Sequence, residues 1–498
     1  MASPLYYIST RGEAPALNFA DVLLAGLASD GGLYVPEAWP SLSEVASANP
    51  ADTRAPSLSY PAFAAEVMWP FVTGTWQQSD FTALITDAYS TFNHPEVAPL
   101  VPLGDPDDNI WLMELFWGPT LAFKDIALQL LGRLFDGELK RSSGQITIVG
   151  ATSGDTGSAA IEACRDRDTM DIFILHPYER VSEVQRRQMT TVDSPTVHNI
   201  AIRGSFDDCQ DIVKALFADE ALKDRLQLSA INSINWARVM AQIVYYIWAT
   251  VQLEGMGKLG EVTKLGGIGQ SGGIGQSEGN VAFAVPTGNF GNVYAGYGAR
   301  GMGLPARFIV GTNRNDSLAR FFSTATLSTG EVSPTLSPSM DIMIPSNLER
   351  LIFDLFGRNS TATADFMQQV RQDGRATLPA ERFDEVGDVW TSRRTDDPAT
   401  LEVIGKTYRD TGRLIDPHTA VGLAAAQELR TEGEPTVVLA TAHPAKFPDA
   451  VKQATGVSPD LPDSMADLHE RTERYAVLDN DLATVSRYIE EHARISAN

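Results

Sequence analysis

Ile146-Thr147-Ile148-Val149-Gly150-Ala151-Thr152-Ser153-Gly154-Asp155-Thr156-Gly157 passes from a β-type run through a glycine-rich turn into a helical pattern at Ser158–Arg165. A strand that ends on glycines and hydroxyls and opens straight into a helix is the joint of a parallel α/β sheet, where ligands sit beyond the carboxyl ends of strands. The free N–H groups and hydroxyls of Thr152, Ser153 and Thr156 at such a helix start suit a carboxylate or a phosphate. A plain capped helix satisfies the same residues, because Asp155 is a good N-cap.

Outward from this joint, β-type runs recur at Ile172–Leu175, Val197–Ile202, Leu228–Ile231, Val281–Val285, Phe308–Val310 and Val437–Leu439, with helical patterns between them. Continuous apolar strands alternating with amphipathic helices predict an α/β protein whose parallel sheets are covered on both faces. At 498 residues the chain is long enough for two or three domains.

Upstream, Trp117-Gly118-Pro119-Thr120-Leu121-Ala122-Phe123-Lys124-Asp125 breaks one apolar run and starts a helix with apolar residues at Ile126, Leu130, Leu131, Leu134 and Phe135. Lys124 therefore stands where the positive end of the helix dipole disfavours a cation, while Asp125 is favoured there. That field predicts a lysine with more free amine, as a Schiff-base nucleophile requires. The alternative is a surface lysine after a turn.

Downstream, Asn232, Ser233 and Arg238 gather donors around one helix start, a phosphate clamp in one reading and a polar cap with a surface ion pair in the other. Val285-Pro286-Thr287-Gly288-Asn289-Phe290-Gly291-Asn292 ends a strand and enters a helix at Val293–Arg300. Its two glycines allow close approach of backbone to a phosphate, and they equally serve a tight turn. His418, beside Asp416 and Pro417, is either a cap partner or a proton carrier, and the last strand runs out through Thr441, His443 and Lys446.

The repeated Gly-Gly-Ile-Gly-Gln-Ser at 266–271 and 272–277 contains Gly267-x-Gly269-x-x-Gly272, but it precedes a strand instead of following one. It is read as a surface insertion and not as a dinucleotide fingerprint. Residues 1–100 show short helical patterns broken at Asp30-Gly31-Gly32 and Pro36, and 358–400 reads as polar surface helices and a loop.

The composition narrows the partners. With 43% hydrophobic and 20% charged residues the chain is globular, and a net charge of -24 argues against nucleic acid or an acidic membrane as partner. Two cysteines, Cys164 and Cys209, make no disulfide framework and no metal-ligand spacing. No apolar run reaches membrane-spanning length and no secretory leader is evident, so the expected compartment is the cytoplasm.

The order Gly-Pro-Thr-Leu-Ala-Phe-Lys-Asp at 118–125, Thr-Ser-Gly-Asp-Thr-Gly at 152–157, Asn-Ser-Ile-Asn-Trp-Ala-Arg at 232–238, Pro-Thr-Gly-Asn-Phe-Gly-Asn at 286–292, Ser-Pro-Ser-Met-Asp at 337–341 and Thr-Ala-His-Pro-Ala-Lys-Phe at 441–447 resembles the threonine synthase family along nearly the whole chain. Tyr7-Ile-Ser-Thr-Arg11 and Leu27–Pro36 resemble the N-terminal domain of its longer form. The resemblance implies a fold of the tryptophan synthase β type, two parallel-sheet α/β domains plus a mainly helical N-terminal domain. The implied boundaries are 1–100, 101–145 with 260–498 for the large domain, and 146–259 for the smaller one.

It also implies pyridoxal 5'-phosphate held by Lys124. Gly288, Asn289, Phe290, Gly291 and Asn292 would hold the cofactor phosphate, Thr441 the pyridine nitrogen, and Asp155 the cofactor edge. Thr152, Ser153 and Thr156 would hold the substrate carboxylate, and Asn232, Ser233 and Arg238 the substrate phosphate. The implied reaction turns O-phosphohomoserine and water into L-threonine and phosphate, in a monomer or homodimer. A dehydratase of the same fold group, which has no need of the Asn232/Ser233/Arg238 clamp, is the nearest alternative; a nucleotide-binding oxidoreductase would need the rejected Gly267 match.

Overall fold

The computed structural model describes residues 4–43, 58–152, 154–259, 281–384, 387 and 389–495. Its contacts divide the chain into two units, Met1–Asp87 with His94–Trp117 and Ser233–Pro459, and Ala88–Asn93 with Gly118–Asn232 and Asp460–Asn498.

The first unit holds a six-stranded sheet in the order Trp390–Arg394, Ala306–Thr312, Val281–Pro286, Thr436–Ala440, Ile110–Glu114, Leu100–Pro102. All neighbours are parallel except the last pair. Val281–Pro286 is buried at every position, which is why it reads as an unbroken apolar run and not as an alternation. One face packs Leu112, Ala282, Ala284, Ile309 and Val438 against Ile404, Ala420 and Leu423. Each large aliphatic side chain so covered contributes about 1.5–3 kcal/mol.

The second unit holds a five-stranded parallel sheet, Ala476–Asp479, Val197–Arg203, Met170–Pro177, Ile146–Ala151, Leu228–Ser229. Val149, Phe173, Leu175, Ile200 and Ile202 pack on Cys209, Ile212 and Leu216, and Val485 and Ile489 from the far end of the chain close the cluster.

These contact units do not follow the expected boundaries. Helix Lys124–Ser142 packs on helix Asp155–Cys164 and so belongs with the second sheet, whereas helix Trp236–Gly255 packs on helices Gly291–Gly301 and Tyr60–Val72 of the first unit. The chain after 460 returns to the second unit because Ala476–Asp479 pairs with Val197–Arg203. Contacts join residues 1–87 to the first unit; the described residues of this part are mainly helical, as expected, with one short antiparallel pair of Tyr7–Ser9 and Tyr34–Pro36. The stretch 358–400, expected as surface helices and loop, contributes the edge strand Trp390–Arg394. The tandem repeat lies outside the described residues. Among the described residues no helix is long and apolar enough to cross a membrane.

Candidate active site

In the second unit the helix opens on Lys124, and no side chain caps it. The approach is fixed by Asp125, whose carboxylate accepts from Thr120 N at 2.8 Å and Thr120 Oγ1 at 2.7 Å. Gly118 is required because a Cβ there would lie 2.4 Å from Asp125 Cβ. Lys124 is only 8% exposed, so the surface-lysine alternative fails. Its Nζ lies 3.4 Å from Asp155 Oδ2, and Asp155 Oδ1 accepts from Gln185 Nε2 at 3.0 Å. The sequence reading weighed only the helix field at Lys124; the fold adds a buried carboxylate as counter-charge.

Asp155 does not cap its helix. It is the first helical residue, and the N-cap position falls to Gly154, with φ of +146° and no side-chain cap. Thr152 Oγ1 accepts the N–H groups of Gly154 at 3.1 Å and Gly157 at 3.0 Å. Thr152, expected to meet the substrate, is thus first the internal brace of the turn, with its O–H left to donate. Thr156 is half-buried, and Ser153 lies outside the described residues.

In the first unit, strand Val281–Pro286 runs into helix Gly291–Gly301 through Phe290 at φ +62°, again with no side-chain cap. Gly288 presses against the 337–341 segment, since a Cβ would stand 2.5 Å from Ser339 O. Asn292 Oδ1 accepts from the hydroxyls of Tyr245 and Tyr246, and the Tyr246 hydroxyl reaches both Asn292 Oδ1 and the Asn292 carbonyl at 2.9 Å. Asn292 Nδ2 is buried with no partner among the described residues. An uncapped helix start beside an unspent buried amide donor fits a phosphate. The Phe290 ring packs against Phe322 and Trp390, which leaves only its backbone at the turn.

Ser233 is not separate from this turn. Its Oγ accepts from Asn289 Nδ2, so two residues assigned to different phosphates touch. Asn232 is the last residue of the other unit's segment. The cap of helix Trp236–Gly255 is Asn235, which accepts from Ala237 N at 3.0 Å and donates to Leu23 O at 2.8 Å. Arg238 is 3% exposed, and its Nε and Nη1 have no partner among the described residues, which removes the surface ion pair. Burial alone pulls its pKa down to about 10.

Thr441 follows strand Thr436–Ala440 and is buried. His443, two residues on, is held down to about 4 by burial and by Lys446, with Asp416 opposing. His418 Nδ1 lies 2.8 Å from Asp416 Oδ2, and Ser339 N donates to Nε2 at 3.3 Å. That donation places the ring proton on Nδ1 and makes His418 a cap partner with both nitrogens engaged. Sequence reasoning missed Gln185, Asn347 and Arg350, none of which stands at a glycine-marked turn.

Residues 92–369 match the family described as pyridoxal-phosphate dependent enzyme, and this match gives the class of the protein. Residues 6–89 match the threonine synthase N terminus and 419–489 the C-terminal part of threonine synthase. The threonine synthase of Pseudomonas aeruginosa is 52% identical over 491 residues, 98% of either chain. The crystal structure of PLP-bound threonine synthase from Brucella melitensis superposes with a TM-score of 0.90 at 45% identity, covering 98% of this chain and 100% of that one. The yeast threonine synthase structure gives 0.88 at 35% identity, with 98% of each chain covered. The chain belongs to the threonine synthase family.

Proposed function

We infer that the chain converts O-phosphohomoserine and water to L-threonine and inorganic phosphate with pyridoxal 5'-phosphate as cofactor. The observation that carries this reading is the 52% identity to a threonine synthase across 98% of both chains. When bound, the cofactor serves as an electron sink for the substrate's α, β and γ carbons.

The chain's own residues supply the rest. Lys124 Nζ is the covalent anchor and then the base and acid that moves protons at those carbons. Asp155 keeps a counter-charge beside Nζ, and Gln185 holds Asp155 in place. Gly288 admits the backbone, and the N–H groups at 289–291 with Asn292 Nδ2 would hold the cofactor phosphate; Asn289 holds that turn through its side chain. The Thr441 hydroxyl would hold the ring nitrogen. The turn of Thr152, Ser153 and Thr156 takes the substrate carboxylate through backbone N–H and hydroxyl donors. Asn232, Ser233 and Arg238 take the substrate phosphate, and Arg238 is the feature an ordinary dehydratase does not need. The enzyme works in the cytoplasm, as a monomer or homodimer.

The test is to supply the purified holoenzyme with O-phosphohomoserine and follow phosphate and threonine together. Equal yields of the two are expected. Deamination of threonine without phosphate chemistry would establish the dehydratase instead.

A further inference from the structure

The helix Leu348–Leu355 begins with Asn347 at its N-cap, yet this asparagine does not cap it. Its side chain is fully buried and turned the other way. Nδ2 donates to the Asn289 carbonyl at 3.1 Å and to the Ser233 carbonyl at 3.2 Å, and the Asn347 N–H reaches the Asn289 carbonyl at 3.3 Å. Oδ1 accepts from Arg350 Nη1, and since a guanidinium only donates, the amide is locked with Nδ2 toward the two carbonyls.

From these contacts we propose that Asn347 is a positioning residue that aims both turns at their anions, and that the N-terminal strand pair acts on the turns through it. The proposal rests on the assignment of the 288–292 turn to the cofactor phosphate and of Ser233 to the substrate phosphate. In a planar trans peptide the C=O of one residue and the N–H of the next point in opposite directions. Drawing the Asn289 carbonyl toward Asn347 therefore directs the Phe290 N–H away from it. Holding the Ser233 carbonyl likewise fixes the backbone that carries the Ser233 hydroxyl. Phe290 sits at φ +62°, where a non-glycine residue needs outside support. Ser346 N adds to that support by donating to Asn289 Oδ1 at 2.6 Å.

The other side of the relay leads to the N-terminal strands. Arg350 also donates to the carbonyls of Tyr34 at 3.0 Å and Ile234 at 2.5 Å, and its guanidinium lies 5.9 Å from the ring centroids of both Trp236 and Tyr294. Its neighbour Glu349 accepts from Thr10 Oγ1 at 2.7 Å and from Arg11 Nε at 3.0 Å and Nη2 at 2.9 Å. Tyr34 opens one strand of the pair, and Thr10 and Arg11 follow directly on the other. One helical turn thus fastens the N-terminal strands to two turns that carry anion donors.

The experiment uses the full-length holoenzyme with Asn347→Asp, which keeps the shape and the Arg350 partner but loses both donors. Expected are cofactor loss into a carbonyl trap faster by about tenfold or more and a KM for O-phosphohomoserine raised by about tenfold or more, with kcat changed less than KM. A merely structural asparagine would lower the melting temperature and scale apparent kcat with the folded fraction, leaving KM and the cofactor-loss rate alone; that result overturns the proposal. If Asn347→Asp does not fold, Asn347→Ser, which keeps one donor, takes its place, with a shift of about threefold in both quantities expected and no shift overturning the proposal. Asn292→Ala, which removes a side-chain donor assigned to the cofactor phosphate, separates the two levels. If it weakens cofactor retention and Asn347→Asp does not, the proposal alone fails; if it leaves retention untouched, the phosphate assignment beneath the proposal fails.

Discussion

Arg238→Met tests which anion the buried guanidinium serves. Arg238 is 3% exposed, its Nε and Nη1 have no partner among the described residues, and burial lowers its pKa to about 10. The protein without substrate therefore carries an uncompensated desolvation cost at this side chain. Methionine is shorter but of similar bulk to the arginine stem, so the substitution removes that cost while keeping the packing of the stem. The melting temperature of the substrate-free enzyme should therefore hold or rise. A charge-assisted hydrogen bond to phosphate contributes about 1.5–3 kcal/mol, so kcat/KM for O-phosphohomoserine should fall about 10- to 150-fold. The cofactor's visible band and the affinity for an amino acid without phosphate should stay within about twofold. A loss of about 3–5 kcal/mol in stability, the signature of a broken internal ion pair, or equal losses toward phosphorylated and plain amino acids, would refute the reasoning.

Lys124→Ala should remove the visible absorption band and lower kcat by at least about 10²–10⁴, read by phosphate release. Gly288→Ala puts a Cβ 2.5 Å from Ser339 O, a backbone atom that cannot swing away; overpacking of about 1–3 kcal/mol predicts cofactor affinity about 5- to 150-fold weaker in an absorbance titration. For the half-buried His443, held at about 4 against an ordinary 6.5, the unfolded chain binds one proton more than the folded chain between those pH values. Stability is then full above about pH 6.5 and falls by up to about 1.4 kcal/mol per pH unit on acidification to about pH 4. Urea midpoints at pH 7.5 and pH 5 should lie closer together in His443→Gln than in the parent.

What the sequence disclosed was local. Val281–Val285 and Ile172–Leu175 are apolar at every position because both faces are covered, and Lys124 and the 288–292 turn announce themselves by glycines against a helix start. The edge strands Trp390–Arg394 and Ala476–Asp479 escaped because a strand with solvent on one side needs no apolar run. Asn347 and Arg350 escaped for another reason. Their meaning lies in partners 58 and 316 residues away, and no local pattern encodes those distances. The same holds for the domain boundaries, which are set by a chain that leaves the second unit after Asn232 and returns at Asp460.

That return has a consequence for biosynthesis. The strand Val197–Arg203 gains its outer partner only when Ala476–Asp479 has been made, roughly 270 residues later, which at 5–20 residues per second is about 15–55 s on the ribosome. Until then the sheet that carries the Gly154–Thr156 turn has an open edge, and an open edge is a template for another chain's strand. Val485 and Ile489 arrive later still, so the apolar surface beneath them also waits uncovered. The first unit waits as well, since Ile110–Glu114 meets its parallel partner only when Thr436–Ala440 has been made, so crowded synthesis or a stalled ribosome endangers both sheets.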